Sequence, residues 1–263
     1  MAEQGQGGGR WVAVIGGASG IGAATSVLLA ERGWRVLVCD LQREPAEVVA
    51  RQCSGAAVVL DVTDADMVER VAGEIEATHG PVDGVAMCAA IFQPRLPPEQ
   101  TPIADWDRIV AVCLRGTYLV DVAFGQRMAR RGRGAIVNLS SYNAHRAAPM
   151  HAYCSAKAGV DALTEGMAGE WGRSGVRVNT VTPGTTLVAR VVDRIKSGTR
   201  YSVHPQALTA LGRLVEPVEV AKTIAFLLSE EASGITGANI AVDAGMLVAP
   251  SWDIFGGVPA ART

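Results

Sequence analysis

Gly16-Gly17-Ala18-Ser19-Gly20-Ile21-Gly22 decides the fold through what stands on either side of it. Before it runs Trp11–Ile15, apolar throughout, and after it comes a helical pattern over Ile21–Arg32. Glycines let the backbone turn sharply and approach a pyrophosphate, and the following helix start offers unpaired N–H groups and a positive dipole end. The spacing is Gly-x3-Gly-x-Gly, so the motif is read from its placement between a strand and a helix rather than from its glycines alone. Gly16, Ser19, Gly20, Ile21 and Gly22 are therefore candidate contacts to a dinucleotide. The next β-like run, Arg35–Cys39, leads to Asp40, eighteen residues past Gly22. A carboxylate there can accept both ribose hydroxyls of an adenosine and repels a 2′-phosphate. Neither Leu41 nor Ser19 supplies a cation for such a phosphate, so NAD is the expected cofactor. A third run, Ala56–Leu60, leads to Asp61-Val62. Asp61 can take a hydrogen bond from the adenine amino group, and Asp is equally a turn or cap residue.

The alternation continues along the chain. Further strand-like runs are Val82–Met87, Ala135–Leu139, Val176–Val181 and Asn239–Val242. Between the strands lie helical patterns near Glu44–Gln52, Asp64–Thr78, Ala104–Arg131, Ala152–Arg173 and Pro217–Ser229. The strands are near-continuously apolar, as a parallel sheet covered on both faces requires. The expected architecture is α/β: a doubly wound, Rossmann-like parallel sheet with helices on both faces and right-handed crossovers. Residues 1–10, rich in Gly and Gln, read as a disordered arm, and 11–263 as one catalytic domain. The irregular stretch 185–214 leaves the carboxyl end of a strand, where ligands bind, and is a candidate substrate lid.

Composition excludes several other classes. Among 263 residues 49% are hydrophobic and 19% charged, with a net charge of −2, so nothing demands nucleic acid or an anionic membrane. The five cysteines form no Cys-x-x-Cys pair and fit a reduced, cytoplasmic location. Trp11–Ala30 carries no charge and superficially imitates a membrane span, but its central glycines divide it into a strand and a helix. Arg127, Arg130, Arg131 and Arg133 close a long helix, where cations complement the dipole. The four histidines show no metal-ligand spacing. Ser141 with a histidine would suggest a hydrolase, but no Gly-x-Ser-x-Gly elbow accompanies it.

Tyr153 and Lys157 are four apart at the start of a helical pattern, hence on one face about one turn (~5.4 Å) apart. A phenol has a reference pKa near ~10. A neighbouring ammonium favours its phenolate, which can take a proton from an alcohol as hydride leaves. The strand Ala135–Leu139 ends at Ser140-Ser141, and a hydroxyl there faces the same crevice. His145, Arg146 and His151 follow and are candidate pocket-lining residues.

Together these pieces resemble the short-chain dehydrogenase/reductase family over almost the whole chain. The matching motifs run from Gly16–Gly22 through Asp61-Val62, Ser140-Ser141, Tyr153-Cys-Ser-Ala-Lys157 and Val176-Arg-Val-Asn179. They continue with Pro183-Gly184, Gly212-Arg213, Glu216-Pro217 and Val242-Asp243-Ala244-Gly245. The resemblance implies Tyr153 as acid/base, Lys157 holding the nicotinamide ribose, and a serine orienting the substrate. The family's pattern selects Ser141, with Ser140 as the fallback. It also implies cofactor contacts at Cys88 and Ala89 and at Pro183, Gly184, Thr186 and Val188. Oxidation of a secondary alcohol or reduction of a ketone follows, in a homo-oligomer (dimer or tetramer) paired through its long helices. A cyclic diol or sterol-like substrate is the rival suggested by the apolar lid and tail. Four departures stand out: Ile15 for Thr, Met87-Cys88-Ala89-Ala90 for Asn-Asn-Ala-Gly, Cys113 for a relay Asn, and Val188 for Thr. They motivate a further rival, a nucleotide-binding regulator with impaired turnover.

Overall fold

A computed structural model describes residues 9–198 and 204–259. Seven strands form one parallel sheet: β1 (Trp11–Ile15), β2 (Arg35–Asp40), β3 (Ala56–Val59), β4 (Val82–Met87), β5 (Gly134–Leu139), β6 (Val176–Pro183) and β7 (Asn239–Val242). Their spatial order is β3-β2-β1-β4-β5-β6-β7. The chain thus winds outward from β1 to β3, crosses back to β4 beside β1, and winds outward again. The reversal opens a crevice beyond the carboxyl ends of β1 and β4, where ligands bind in such sheets.

Each face of the sheet is covered. On one side α3 (Ala65–His79), α5 (Gly116–Arg131) and α6 (His151–Trp171) bury Val68, Val71, Val120, Phe124 and Ala168 against Ile15, Val85 and Ile136. On the other, α1 (Gly20–Glu31), α2 (Arg43–Gln52) and α8 (Pro217–Leu228) bury Leu29, Val49, Ile224 and Leu227 against Val14, Val38 and Val137. Trp11–Ala30 is accordingly a core strand and helix. The basic residues closing α5 are paired: Arg127 with Glu69 and Glu76 of α3, and Arg131 with Glu76.

Two elements differ from the sequence expectation. The helix expected over Ala104–Arg131 consists of α4 (Ile103–Val110) and α5, joined by one π-helical turn over Ala111–Arg115 with Cys113 at its centre. Ile103–Arg131 is long and apolar enough to cross a membrane, but half of its apolar window is buried inside the fold. The candidate lid is more regular than expected, because it contains the helix α7 (Ala189–Lys196). Residues 199–203 of that stretch, 1–8 of the expected arm and 260–263 lie outside the described residues. Arg10, the last residue of that arm, pairs with Glu230 and lies over the Trp34 ring.

Candidate active site

The glycine loop is shaped by close backbone approach. Gly16 has φ +74°, and a Cβ on it would come within 2.6 Å of the Ala89 backbone; a Cβ on Gly22 would overlap the Gly16 carbonyl. The Cys88 amide donates to Ile15 O at 2.8 Å, so the segment after β4 lies directly against the loop at the switch point. Asp40, at the end of β2, spans the other side: its Oδ2 accepts from Ala18 N and its Oδ1 from Gln42 N, both at 3.1 Å. Leu41 beside it is 63% exposed. Asp61 is turned inward on its own loop, accepting from Thr63 N at 2.8 Å and Thr63 Oγ1 at 2.7 Å, while Val62 is buried. Both bonds fall on Oδ1, which ties Asp61 into the turn that follows β3.

Beyond β6, Gly184 lies against Asp243 so closely that a Cβ would meet its backbone at 2.7 Å. Thr186 bridges to Val215, and Val188 packs over Gly20. The loop after β6 therefore meets the glycine loop from above. Bare backbone at Gly16 and Gly22, a helix start at Gly20, and an acidic group at the end of β2 are the features a dinucleotide needs, so the residues present fit one.

The candidate acid/base group sits on α6. Tyr153 is 4% exposed, and its ring stacks on Phe92 with 4.9 Å between centroids and 24° between planes. Burial pushes the phenol pKa well up, and the Cys113 thiol, were it ionised, would push the same way; a hydrogen bond from Ser141 and the charge of Arg190 oppose them. Ser141 is held in place by Asn143 N, which donates to its Oγ at 3.2 Å. Ser140 points elsewhere, to Lys157 O at 3.3 Å and to the Asp161 carboxylate. Of the two serines, the one selected by the family's pattern is the one brought to the phenol. Lys157 lies one turn beyond Tyr153, 2% exposed, with Nζ donating to Leu139 O at 2.6 Å and 6.0 Å from the Tyr153 ring centre. Burial pushes its pKa down, opposed by nearby thiols and Asp161.

Several site residues were not read from the sequence. Gln93 Oε1 accepts from Ala152 N at 2.8 Å and Tyr153 N at 3.4 Å, satisfying the first amides of α6 and fixing the start of the helix that carries the phenol. Phe92 and Arg190 form a stack on Tyr153, with the Arg190 guanidinium 3.5 Å from the Phe92 ring centre. These three lie on loops or a short helix, where no periodicity marks them. Asp161 carried a signal, four residues past Lys157 on the same helix face. The Cys113 thiol, at the expected relay position, is fully buried and reaches Ile91 O at 3.5 Å, so packing and a weak hydrogen bond fill that place.

A family model described as enoyl-(acyl carrier protein) reductase matches residues 16–247. Together with the motifs and the sheet order, this decides the family. The chain belongs to the short-chain dehydrogenase/reductase family. It is an oxidoreductase, and its family uses a nicotinamide cofactor. The dehydrogenase/reductase is similar to D-threitol dehydrogenase of Mycolicibacterium smegmatis, 37% identical, covering 91% of this chain and 94% of the relative. It is also similar to cis-4-hydroxycyclohexanecarboxylate dehydrogenase of Sinomonas cyclohexanicum, 40% identical over 90% and 96%. A solved structure described as ribose-5-phosphate isomerase from Brucella melitensis superposes with TM-score 0.93 at 44% identity, covering 96% of this chain and 98% of that one.

Proposed function

We propose that this oxidoreductase moves a hydride between NAD and a secondary alcohol or its ketone, with Tyr153 as the acid/base. The observation that carries the reading is the meeting of three buried groups on one rim: the Tyr153 phenol, the Ser141 hydroxyl beside it, and the Lys157 ammonium one turn along. When bound, the cofactor supplies the hydride acceptor. The glycine loop gives its backbone to the pyrophosphate, with Ser19, Gly20, Ile21 and Gly22 at the helix start. Asp40 and Leu41 receive the adenosine, and the Asp40 charge selects NAD over NADP. Val62, Cys88 and Ala89 line the floor, and Pro183, Gly184, Thr186 and Val188 close over the nicotinamide end.

At the reacting centre the Ser141 hydroxyl donates its single proton to the alcohol or carbonyl oxygen and holds it against the phenol. The phenolate takes the hydroxyl proton as the carbinol carbon releases its hydride, and the phenol returns it in the reduction. Lys157 holds the nicotinamide ribose, and its charge, only ~6 Å from the ring, makes the phenolate easier to form. The relatives named for threitol and for a hydroxycyclohexanecarboxylate support a small hydroxylated substrate. The second of these keeps a cyclic alcohol in view. An isomerase reading leaves the dinucleotide cradle without a purpose. The free cysteines favour a reducing, cytoplasmic location, and exposed Ile103, Trp106 and Tyr118 on α4 and α5 favour self-association through the long helices.

The test is NADH formation with a panel of secondary alcohols by the wild type and Tyr153→Phe. The expected result is turnover by the wild type and a loss of at least about a hundredfold in the variant, the size expected for an acid/base group. Wild-type protein that binds NADH but turns over no alcohol or ketone would instead favour a regulator.

A further inference from the structure

The lid helix brings a cation to the substrate side of the catalytic tyrosine. Arg190 lies in the first turn of α7, half-buried, with its guanidinium 3.5 Å from the Phe92 ring centre, and Phe92 stacks in turn on Tyr153. The backbone below it is fixed: Leu187 N donates to Val215 O, and Val188 packs over Gly20. A guanidinium lying over a ring uses its flat face for the cation–π contact. Its donors lie in its own plane, in a fork whose geometry matches a carboxylate.

The surroundings carry the same sign. The segment 91–97, which supplies Phe92, contains Arg95 and no carboxylate. The segment 142–152, between Ser141 and Tyr153, contains His145, Arg146 and His151 and no carboxylate, and Arg146 donates to His145 O and Leu247 O. On α7 one carboxylate, Asp193, stands among Arg190, Arg194 and Lys196. Asp161, which faces this region from α6, is taken up by Asn239 at 2.9 Å and His145 at 3.4 Å. The chain as a whole carries a net charge of −2, so the composition of these segments runs against the general balance. Clefts lined by one sign of charge concentrate ligands of the other.

We propose that the substrate is a hydroxy acid and that Arg190 binds its carboxylate. The inference rests on the assignment of Tyr153 as acid/base. Because the Phe92 ring separates guanidinium from phenol, the carboxylate stands several bonds from the carbinol carbon. It takes no part in the chemistry. The carbinol carbon gives its hydrogen and the bonding electron pair to NAD, the hydroxyl proton passes to the Tyr153 phenolate, and a keto acid and NADH result.

Two measurements test this on the full chain with wild type, Arg190→Met and Arg190→Lys. The first is equilibrium binding of levulinate, a keto acid, to the protein with NADH present. The second is the kinetics of γ-hydroxyvalerate against sec-pentanol, which shares its carbinol and lacks the carboxylate. Levulinate is expected to bind the wild type and to bind Arg190→Met at least about tenfold more weakly, with part of the loss restored in Arg190→Lys. In kinetics, loss of the Arg190 charge should lower kcat for both alcohols alike, while only γ-hydroxyvalerate should also rise in KM, by a similar factor. Equal binding of levulinate by wild type and Arg190→Met overturns the proposal. So does an equal rise in KM for both alcohols, which would make Arg190 a support for Phe92 and the lid. Arg190-dependent binding of levulinate with no oxidation of either alcohol would keep the anion site and reject the Tyr153 reading instead.

Discussion

At the scale of single residues, the site is a contest over one proton. Burial holds the Tyr153 phenol protonated, while Ser141 and Arg190 favour the phenolate. The balance predicts opposite pH profiles for the two directions. Oxidation needs phenolate, so its kcat/KM should rise about tenfold per pH unit until the phenol of the free enzyme is ionised, then level off. Ketone reduction needs the phenol, so its kcat/KM should stay flat and then fall at the same pH. Steady-state rates in both directions between neutral and strongly alkaline pH check this; profiles that move together would assign the proton to another group. Asp40 makes a separate prediction. With its carboxylate removed in Asp40→Ala, NAD should bind more weakly, by about tenfold for lost charge-assisted hydrogen bonds, and the gap to NADP should narrow. Titration of both cofactors measures it, and unchanged affinities for both would show that Asp40 does not meet the ribose.

At the scale of elements, the site is held by the packing of α5 and α6 on β5. Asn138 Nδ2 of β5 donates to Asp121 Oδ2 of α5 at 2.8 Å and lies 3.0 Å from Thr164 Oγ1 of α6, all three buried. Burial raises the Asp121 pKa to about 7, against the smaller opposing effect of its Asn138 hydrogen bond. In the unfolded chain an Asp titrates near ~3.9. Between those values the folded protein holds a proton that the unfolded chain has released, so stability falls as pH rises through that window and is flat above it. Asp121→Asn should abolish this slope, with the difference from wild type growing by on the order of a few kcal/mol from pH ~4 to pH ~7. Denaturant unfolding across that range checks it; parallel stability curves for the two proteins would contradict it. The same elements show what sequence could and could not disclose. A continuous apolar run gave β1 its observed ends, because a strand buried on both faces has nothing else to be. In β6 the polar Thr182 hid the extension to Pro183; Thr182 is buried because Asn239 of β7 accepts its hydroxyl at 2.6 Å. The π-turn at Cys113 leaves no mark in an unbroken helical pattern, and α7 is too short, between a Pro-Gly turn and Gly198, to announce itself.

At the scale of the whole molecule, the legible and illegible parts of the site divide by how they are built. The glycine loop, Asp40, Ser141, Tyr153 and Lys157 sit at the ends or starts of regular elements, where motif spacing places them on one rim. Phe92, Gln93 and Arg190 reach the same place only because the loop after β4 and the short helix α7 fold over the crevice, and nothing local dictates that. On the proposed reading, the sheet order would turn the adenosine toward Asp40 on β2 and the reactive end toward β5 and β6. The most direct measurement is therefore a crystal structure of the protein with NAD bound. The account predicts the nicotinamide ring beside Tyr153, with Lys157 on its ribose and room between ring and phenol for a carbinol carbon. A nicotinamide ring lying far from the Tyr153 phenol would contradict it.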